Sequence, residues 1–275
     1  MENIIKWRDM ELVVSDFNKS HANGGRLGKL WVEDRLSGRV FLVKSSGWLS
    51  YEPFSEKIAY IIGKNLGIDV LEYDILPMEL FKGVFPRTSF CKYVSICEKV
   101  DRKGCSMMSI AEIKRARNAF LSKKDENYQK NEDIMYELLP KKYIDTMLLF
   151  DAIIGNDDRH FGNVHILRNL DGEIVGAPIL DNGASLLAKA NIFGIILSGI
   201  RVGKVFDKTS MLYYKHAEAT KHIETVNGVN FNITAKAINI LNEIEPTLQL
   251  MSKIRANAIR KYIVYRLYKH LGNIK

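Results

Sequence analysis

Apolar and polar residues alternate with a period that changes several times along the chain, and each change marks an element. Lys29 to Glu33 and Arg39 to Lys44 are short apolar-rich runs joined by Asp34-Arg35-Leu36-Ser37-Gly38, which predicts a β-hairpin. In the second run Val40, Leu42 and Lys44 share one face while Phe41 and Val43 take the other. Pro53 to Asn65 switches to helical spacing, with Pro in the first turn, Phe54, Ile58, Ile61 and Ile62 on one side, and Gly67 as the stop. Phe90 to Cys97 alternates again and predicts a strand. Ile144 to Ile154 is strongly apolar and ends at Gly155, the pattern of a buried helix. Val164 to Leu167 then predicts a short strand, Asn169-Leu170-Asp171-Gly172 a turn, and Glu173 to Leu180 a second strand that delivers Asp181. Near the end Leu248, Met251, Ile254, Ala258, Tyr262 and Tyr265 recur at helical spacing and predict one amphipathic helix with a basic outer side.

The polar run Gly155-Asn156-Asp157-Asp158-Arg159-His160-Phe161-Gly162-Asn163 sits between the apolar helix and the two predicted strands, and Leu180-Asp181-Asn182-Gly183 follows them. Asp and Asn are also ordinary turn formers. Here, however, an Asp, an Asn five residues later and a second Asp returned by a hairpin are what phosphoryl transfer needs. One carboxylate orients the acceptor hydroxyl, and an amide oxygen with a second carboxylate holds magnesium against the phosphates of ATP. Lys44 closes a strand whose same-face neighbours are apolar, a place from which an ammonium can reach phosphates; a snorkelling surface lysine is the alternative. Glu52 and Glu56, four apart at the start of the following helix, both stand where a partner for Lys44 would be, and either is also an ordinary first-turn acid favoured by the helix dipole. Ser20-His21-Ala22-Asn23-Gly24-Gly25-Arg26-Leu27-Gly28-Lys29 leads into the hairpin and could let backbone N–H groups approach phosphate, though it lacks a Walker A ending.

Asp158-Arg159-His160-Phe161-Gly162-Asn163 resembles the Asp-x-His-x-x-Asn catalytic loop of HipA-like serine/threonine kinases, and its Asp-Arg-His start resembles the phosphoinositide lipid kinases, whose core fold they share. Arg159 and His160 follow the Asp, whereas in ordinary protein kinases the His or Arg precedes it. The resemblance is strong over about 144 to 187, looser over the N-terminal third and weak beyond Ala188. It implies an α+β, bilobal protein-kinase-like fold, with a small β-rich ATP-covering lobe over residues 1–100 and a larger, mainly helical catalytic lobe over 101–275. It implies Asp158 as the catalytic residue, His160 as a loop-ordering or phosphate-facing residue, Lys44 as the nucleotide lysine, and Asn163 and Asp181 as ligands of Mg2+. It maps a helix Glu onto Glu52, seven residues before Ala59, where helix geometry alone favours Glu56. It also makes Ser20 a candidate regulatory phosphosite and Val94 to Glu98 the segment beside the adenine. The implied activity is ATP-dependent phosphorylation of a protein Ser or Thr, with autophosphorylation and an antitoxin-like or regulatory partner by family analogy. Asp181-Asn182-Gly183 departs from the Asp-Phe-Gly of many kinases but keeps the Asp.

Composition adds limits. With 275 residues and 47% hydrophobic content the chain can bury one large core or two linked lobes. Cys91, Cys97 and Cys105 lack metal-ligand spacing and cannot all pair within one chain, so reduced thiols in a cytoplasmic protein are expected. No apolar stretch is long enough to span a membrane, and the polar start is unlike a signal peptide. The net charge is +8, and from Pro246 onward there are seven Lys or Arg and no acid. A solvated helix face explains that better than a nucleic-acid site. Downstream of Asp181, Ser185, Ser198, Thr209, Tyr213 and Tyr214 are candidate phosphorylation sites. Two rivals stand beside the protein kinase: a lipid or small-molecule kinase with the same core, and a non-catalytic nucleotide-sensing binding module.

Overall fold

The computed structural model describes residues 4–16, 28–46, 51–85, 92–100, 104–125, 127–190 and 233–271. The N-terminal portion is a six-stranded antiparallel sheet: β1 (Ile5–Trp7), β2 (Met10–Val14), β3 (Lys29–Asp34), β4 (Val40–Lys44), β5 (Asp74–Pro77) and β6 (Tyr93–Glu98), in the order β1-β2-β3-β4-β6-β5. The predicted hairpin is β3–β4, with Lys29 opposite Lys44 and Trp31 opposite Leu42. Its turn is held by Asp34, whose carboxylate accepts from the Ser37 N–H and hydroxyl and from the Glu11 N–H. Leu12, Leu30, Val32, Phe41, Val43, Val94 and Ile96 form the core of this sheet.

Helix α1 (Glu52–Leu66) crosses from the sheet to the rest of the molecule, packing on β5, β6 and a C-terminal helix. Pro53 lies in its first turn, and Gly67 at φ 71° ends it in the left-handed region that costs glycine little. The remainder is mainly helical: α2 (Ile110–Arg117), α3 (Asn131–Leu138), α4 (Lys141–Ile154), α5 (Ile233–Gln249) and α6 (Lys253–Leu271). Ser109 and Glu112 start α2 with a reciprocal capping box. A small sheet, β7 (Ser106–Ser109), β8 (His165–Arg168) and β9 (Ile174–Gly176), rests beside them. The larger core runs from α1 through α4 to α5 and α6. The fold is thus mixed, with a β-rich first part and a helical second, as the expected fold class requires.

Two boundaries differ from the sequence reading. The strand expected over Glu173 to Leu180 is only Ile174–Gly176; Ile179 leaves β8 and bridges Val70 instead, through Leu71 N–H to Ile179 O at 2.9 Å and Ile179 N–H to Asp69 O at 2.9 Å. The single C-terminal helix is two, because the chain turns at Leu250–Ser252; Pro246 lies inside α5. Of the expected stripe, Leu248 and Tyr262 are buried; the inward face of α6 adds Ala256, Ile259, Ile263 and Leu267, while Ile254 is half exposed. The outer side of α6 is also less basic than expected: Arg255 and Arg266 are buried, and Arg260 is paired with Glu245. Long arginines can bury their stems wherever backbone carbonyls receive their N–H groups.

Candidate active site

Helix α4 is apolar apart from a few positions, and two of these, Asp145 and Asp151, are buried acids. A buried carboxylate is stable only when paired. Asp151 receives Arg159 Nε at 3.0 Å and Nη2 at 3.0 Å, and Asn156 Nδ2 at 3.1 Å. Burial pushes the Asp151 carboxyl up, and the Arg159 guanidinium works against that shift. Arg159 spends its other donors on Asn163 O at 3.0 Å, Leu180 O at 2.6 Å and Asn182 Oδ1 at 2.7 Å. One fully buried guanidinium therefore ties the polar loop to both neighbours of Asp181, to the carbonyl of Leu180 and to the side chain of Asn182. Gly155 at φ 61° turns the chain out of α4, and Asn156 Oδ1 accepts from the Asp158 N–H at 3.0 Å. The loop is pinned from beneath, and Asp158 is left facing outward, its side chain 55% exposed.

Lys44 is buried and makes three contacts: Glu56 Oε1 at 3.2 Å, Tyr73 OH at 3.1 Å and Asp181 Oδ1 at 2.8 Å. Burial opposes its charge, but Glu56, Tyr73 and Asp181 outweigh it and hold the ammonium well above the usual lysine value. Glu56, not Glu52, forms the ion pair, because it lies one turn further into α1 and faces the sheet. Its second oxygen accepts from the Asn182 N–H at 2.9 Å, so α1 fixes both Lys44 and the residue after Asp181. Asp181 itself sits at φ 61°, a region that Asp tolerates better than most side chains. Lys44 holds the Asp181 carboxyl far below the usual carboxylate range, with burial acting the other way.

These side chains converge on one cleft. A cavity of about 640 Å³ is lined by Lys29, Lys44, Glu52, Glu56, Asp158, His160, Asn163, Asp181 and Lys189. A second cavity of about 610 Å³ shares Lys29, Lys44, Asn163 and Asp181 and continues to Trp31, Leu42, Leu71, Val100, Met107 and Leu180. Glu98, Lys99, Glu112 and His165 also stand on its wall, so the cleft has a charged end and a more apolar, mixed end, with Asn163 and Asp181 at the junction. Cys97 and Glu98 line the apolar end together with Lys99 and Val100, whereas Val94 and Ile96 belong to the sheet core. The segment beside that cavity is therefore displaced toward the end of β6 relative to the expected Val94 to Glu98.

The donors fit a hard divalent cation. Asn163 donates its amide Nδ2 to Asp158 O at 3.2 Å, which leaves its carbonyl oxygen for a ligand, and Asp181 keeps one oxygen beyond the Lys44 contact. Among the described residues no group of three or more His, Cys, Asp or Glu could hold a metal alone; magnesium held partly by substrate phosphates does not need one. His160 Nδ1 accepts from the Gly162 N–H at 3.1 Å, a loop-ordering contact, while the ring lines the cleft. Ser20, Gly24 and Gly25 lie outside the described residues, as do Ser198, Thr209, Tyr213, Tyr214 and Cys91. Ser185 is buried with its hydroxyl donated to Asn182 O at 2.6 Å, which removes it from the accessible phosphorylation candidates. Cys97 and Cys105 are free thiols, and burial pushes Cys97 up to about 12.

Sequence reasoning missed Tyr73, Asp151, Asn182 and Lys189. The first three are scaffold for residues it found; Asp151, an acid inside the apolar run of α4, was a readable sign that a buried cation would come to meet it.

No known protein family matches the sequence, and no curated protein does. Solved structures do. The chain is similar to the Helicobacter pylori proinflammatory kinase CtkA, at 18% identity over 98% of this chain and 96% of that chain, with a TM-score of 0.63. A second similar structure is HipA of Shewanella oneidensis MR-1, solved with HipB and operator DNA, at 13% identity over 92% of this chain and 66% of that chain. Its TM-score of 0.40 is too low to carry an argument. The likeness to CtkA establishes a kinase-like fold for this chain over nearly its whole length.

Proposed function

We propose that this chain is an ATP-dependent protein kinase of HipA-like type that transfers the γ-phosphate to a Ser or Thr hydroxyl. The observation that carries the reading is the convergence of Lys44, Asp158, Asn163 and Asp181 on the charged end of a cleft whose other end is more apolar. Adenine suits the apolar end beside Val100, and the triphosphate suits the charged end. In this reading residues 1–100 cover the nucleotide and 101–275 supply the catalytic loop.

Each residue then has a task. Asp158 is exposed toward the cleft and accepts the acceptor hydroxyl, taking its proton as the new bond from that oxygen to phosphorus forms. The bond between the γ-phosphorus and the β–γ bridging oxygen breaks, and its electron pair leaves with ADP. Lys44, kept charged by Glu56 and Tyr73, holds the phosphates. Asn163 and Asp181 would hold Mg2+, which when bound neutralises phosphate charge. Arg159 touches no reactant; it keeps Asn163 and Asp181 in register through Asn163 O and Leu180 O. His160 orders the loop through Gly162. Autophosphorylation uses the same transfer on the chain's own hydroxyls and belongs to the same proposal.

The test is magnesium-dependent ADP release and phosphopeptide formation by purified protein, beside Asp181→Asn. The reading expects both products from the intact chain and neither from the variant. Full phosphotransfer by Asp181→Asn would sink the metal assignment, and product on a lipid or metabolite instead of a peptide would change the substrate class.

A further inference from the structure

Among the charged residues of the cleft, Lys189 has no task in the reading above, yet the chain builds a fixed seat for it. Lys189 Nζ lies 3.9 Å from Asp158 Oδ2, and the lysine side chain is 54% exposed at the mouth of the charged cavity. It also bears on Glu52, whose carboxyl is pushed up by burial; Lys189 is the largest charge opposing that shift.

The backbone that carries Lys189 is strained and held from several sides. Leu186 and Leu187 sit at φ 50° and 63°, a region non-glycine residues seldom occupy. Such a turn persists only when its surroundings over-determine it, and here they do. Leu186 N–H donates to Ile154 O at 2.9 Å, and Tyr51 N–H to Ala188 O at 3.2 Å. Ser55 Oγ donates to Ser185 O at 2.9 Å. Arg255, at the start of α6, donates to Leu187 O at 2.8 Å and to Ala190 O at 2.6 Å, and its guanidinium lies 3.9 Å from the centre of the Tyr51 ring. Lys189 is thus bracketed by the two carbonyls that one buried arginine binds.

A half-exposed pair at 3.9 Å adds little to stability, so the Asp158 contact does not account for this construction. The loop from Asp158 to Asn163 contains no lysine, Lys44 is committed to Glu56, Tyr73 and Asp181, and Lys29 lies opposite Lys44 on the β3–β4 pair, on the sheet side of the cleft. Charge that builds up on the transferring phosphoryl group beside Asp158 needs a cation on the acceptor side.

We infer that Lys189 is a further catalytic residue, the cation that contacts the terminal phosphate of the nucleotide beside Asp158, held in place by the Arg255-bound turn. This rests on the kinase reading for the identity of the nucleotide. In the free protein Lys189 leans on Asp158, and the incoming phosphate draws it off, leaving the carboxylate to the acceptor hydroxyl.

The experiment compares Lys189→Met and Lys189→Arg with the intact chain, measuring calorimetric affinity for AMP-PNP and for ADP with magnesium, and single-turnover transfer from ATP. Lys189→Met is expected to weaken AMP-PNP binding about tenfold or more, leave ADP binding within about twofold, and slow transfer by on the order of a hundredfold. Lys189→Arg should restore most of the AMP-PNP preference. Unchanged ADP affinity shows that the variants fold. Equal loss for both nucleotides, or none for AMP-PNP, overturns the inference and leaves the kinase reading standing if transfer by the intact chain is seen. A Lys189-dependent preference for AMP-PNP without any transfer supports the inference and overturns the kinase reading. Failure of the intact chain to bind either nucleotide overturns both.

Discussion

Replacing Arg159 by Met removes the cation that neutralises Asp151 while keeping a side chain of similar length in the core. Both side chains of the pair are fully buried, and the guanidinium makes three contacts to Asp151 and one each to Asn163 O, Leu180 O and Asn182 Oδ1. The variant therefore strands an anion without its counter-ion, a change that costs about 3–5 kcal/mol. Chemical denaturation should show that loss as a lower midpoint with an unchanged slope, and thermal melting as a drop on the order of 10 °C. The loss also has a pH signature. Burial already raises the Asp151 carboxyl and Arg159 opposes it, so removing Arg159 raises the folded-state value further above the unfolded one. A raised carboxyl contributes stability below its unfolded value and loses it as pH rises through the folded one. The deficit of Arg159→Met should accordingly shrink toward acid pH and grow toward neutral. Adding Asp151→Leu removes the stranded charge and should return about 2 kcal/mol. A loss under about 1 kcal/mol, a pH-independent loss, or a double variant no more stable than the single would refute the buried pair as the clamp of this loop.

Other outcomes follow from the same geometry. Glu56→Gln weakens the support of Lys44 by a charge-assisted contact and should slow transfer about 10- to 100-fold, measured as kcat with saturating ATP. The Asp181 carboxyl resonance should titrate below that of a free Asp and move up in Lys44→Met, since Lys44 is the first cause of its low value; a resonance that does not move would contradict the pair. Gly63→Ala should cost about 1–3 kcal/mol by denaturation, because a Cβ there would meet Val70 Cγ2 at 2.3 Å, and a neutral result would mean that the α1 contact with Val70 is loose.

Much of this arrangement was legible in the chain. Apolar alternation around Lys44, the proline and glycine bounding α1, and the apolar run ending at Gly155 each predicted an element that forms, because local period and burial agree there. The expected site residues that lie in described segments were close in pattern to what assembles: Lys44, Glu56, Asp158, Asn163 and Asp181 meet in one cleft. Which glutamate pairs with Lys44 was not decidable, since Glu52 and Glu56 share a helix face and only the angle between α1 and the sheet separates them. The early end of β9 was hidden because Ile179 is apolar in either setting; it is tertiary pairing with Val70 that takes it away from β8. Arg255 and Arg266 looked like solvated charges, yet the backbone carbonyls of Leu187, Ala190 and Ala152, remote in sequence, receive them inside. Lys189 lay in a stretch without period, where side-chain direction comes from two left-handed residues that no pattern announces.

The most direct measurement is transfer of label from γ-labelled ATP with magnesium, by the purified chain alone and with a cell extract, beside Asp158→Asn. Asp158 is exposed and carries none of the packing, so the variant should keep its melting behaviour. The account predicts phosphate on protein Ser or Thr with the intact chain and none above background with Asp158→Asn. Equal labelling by the two proteins, or ATP bound by the intact chain with no label transferred to any acceptor, would contradict it.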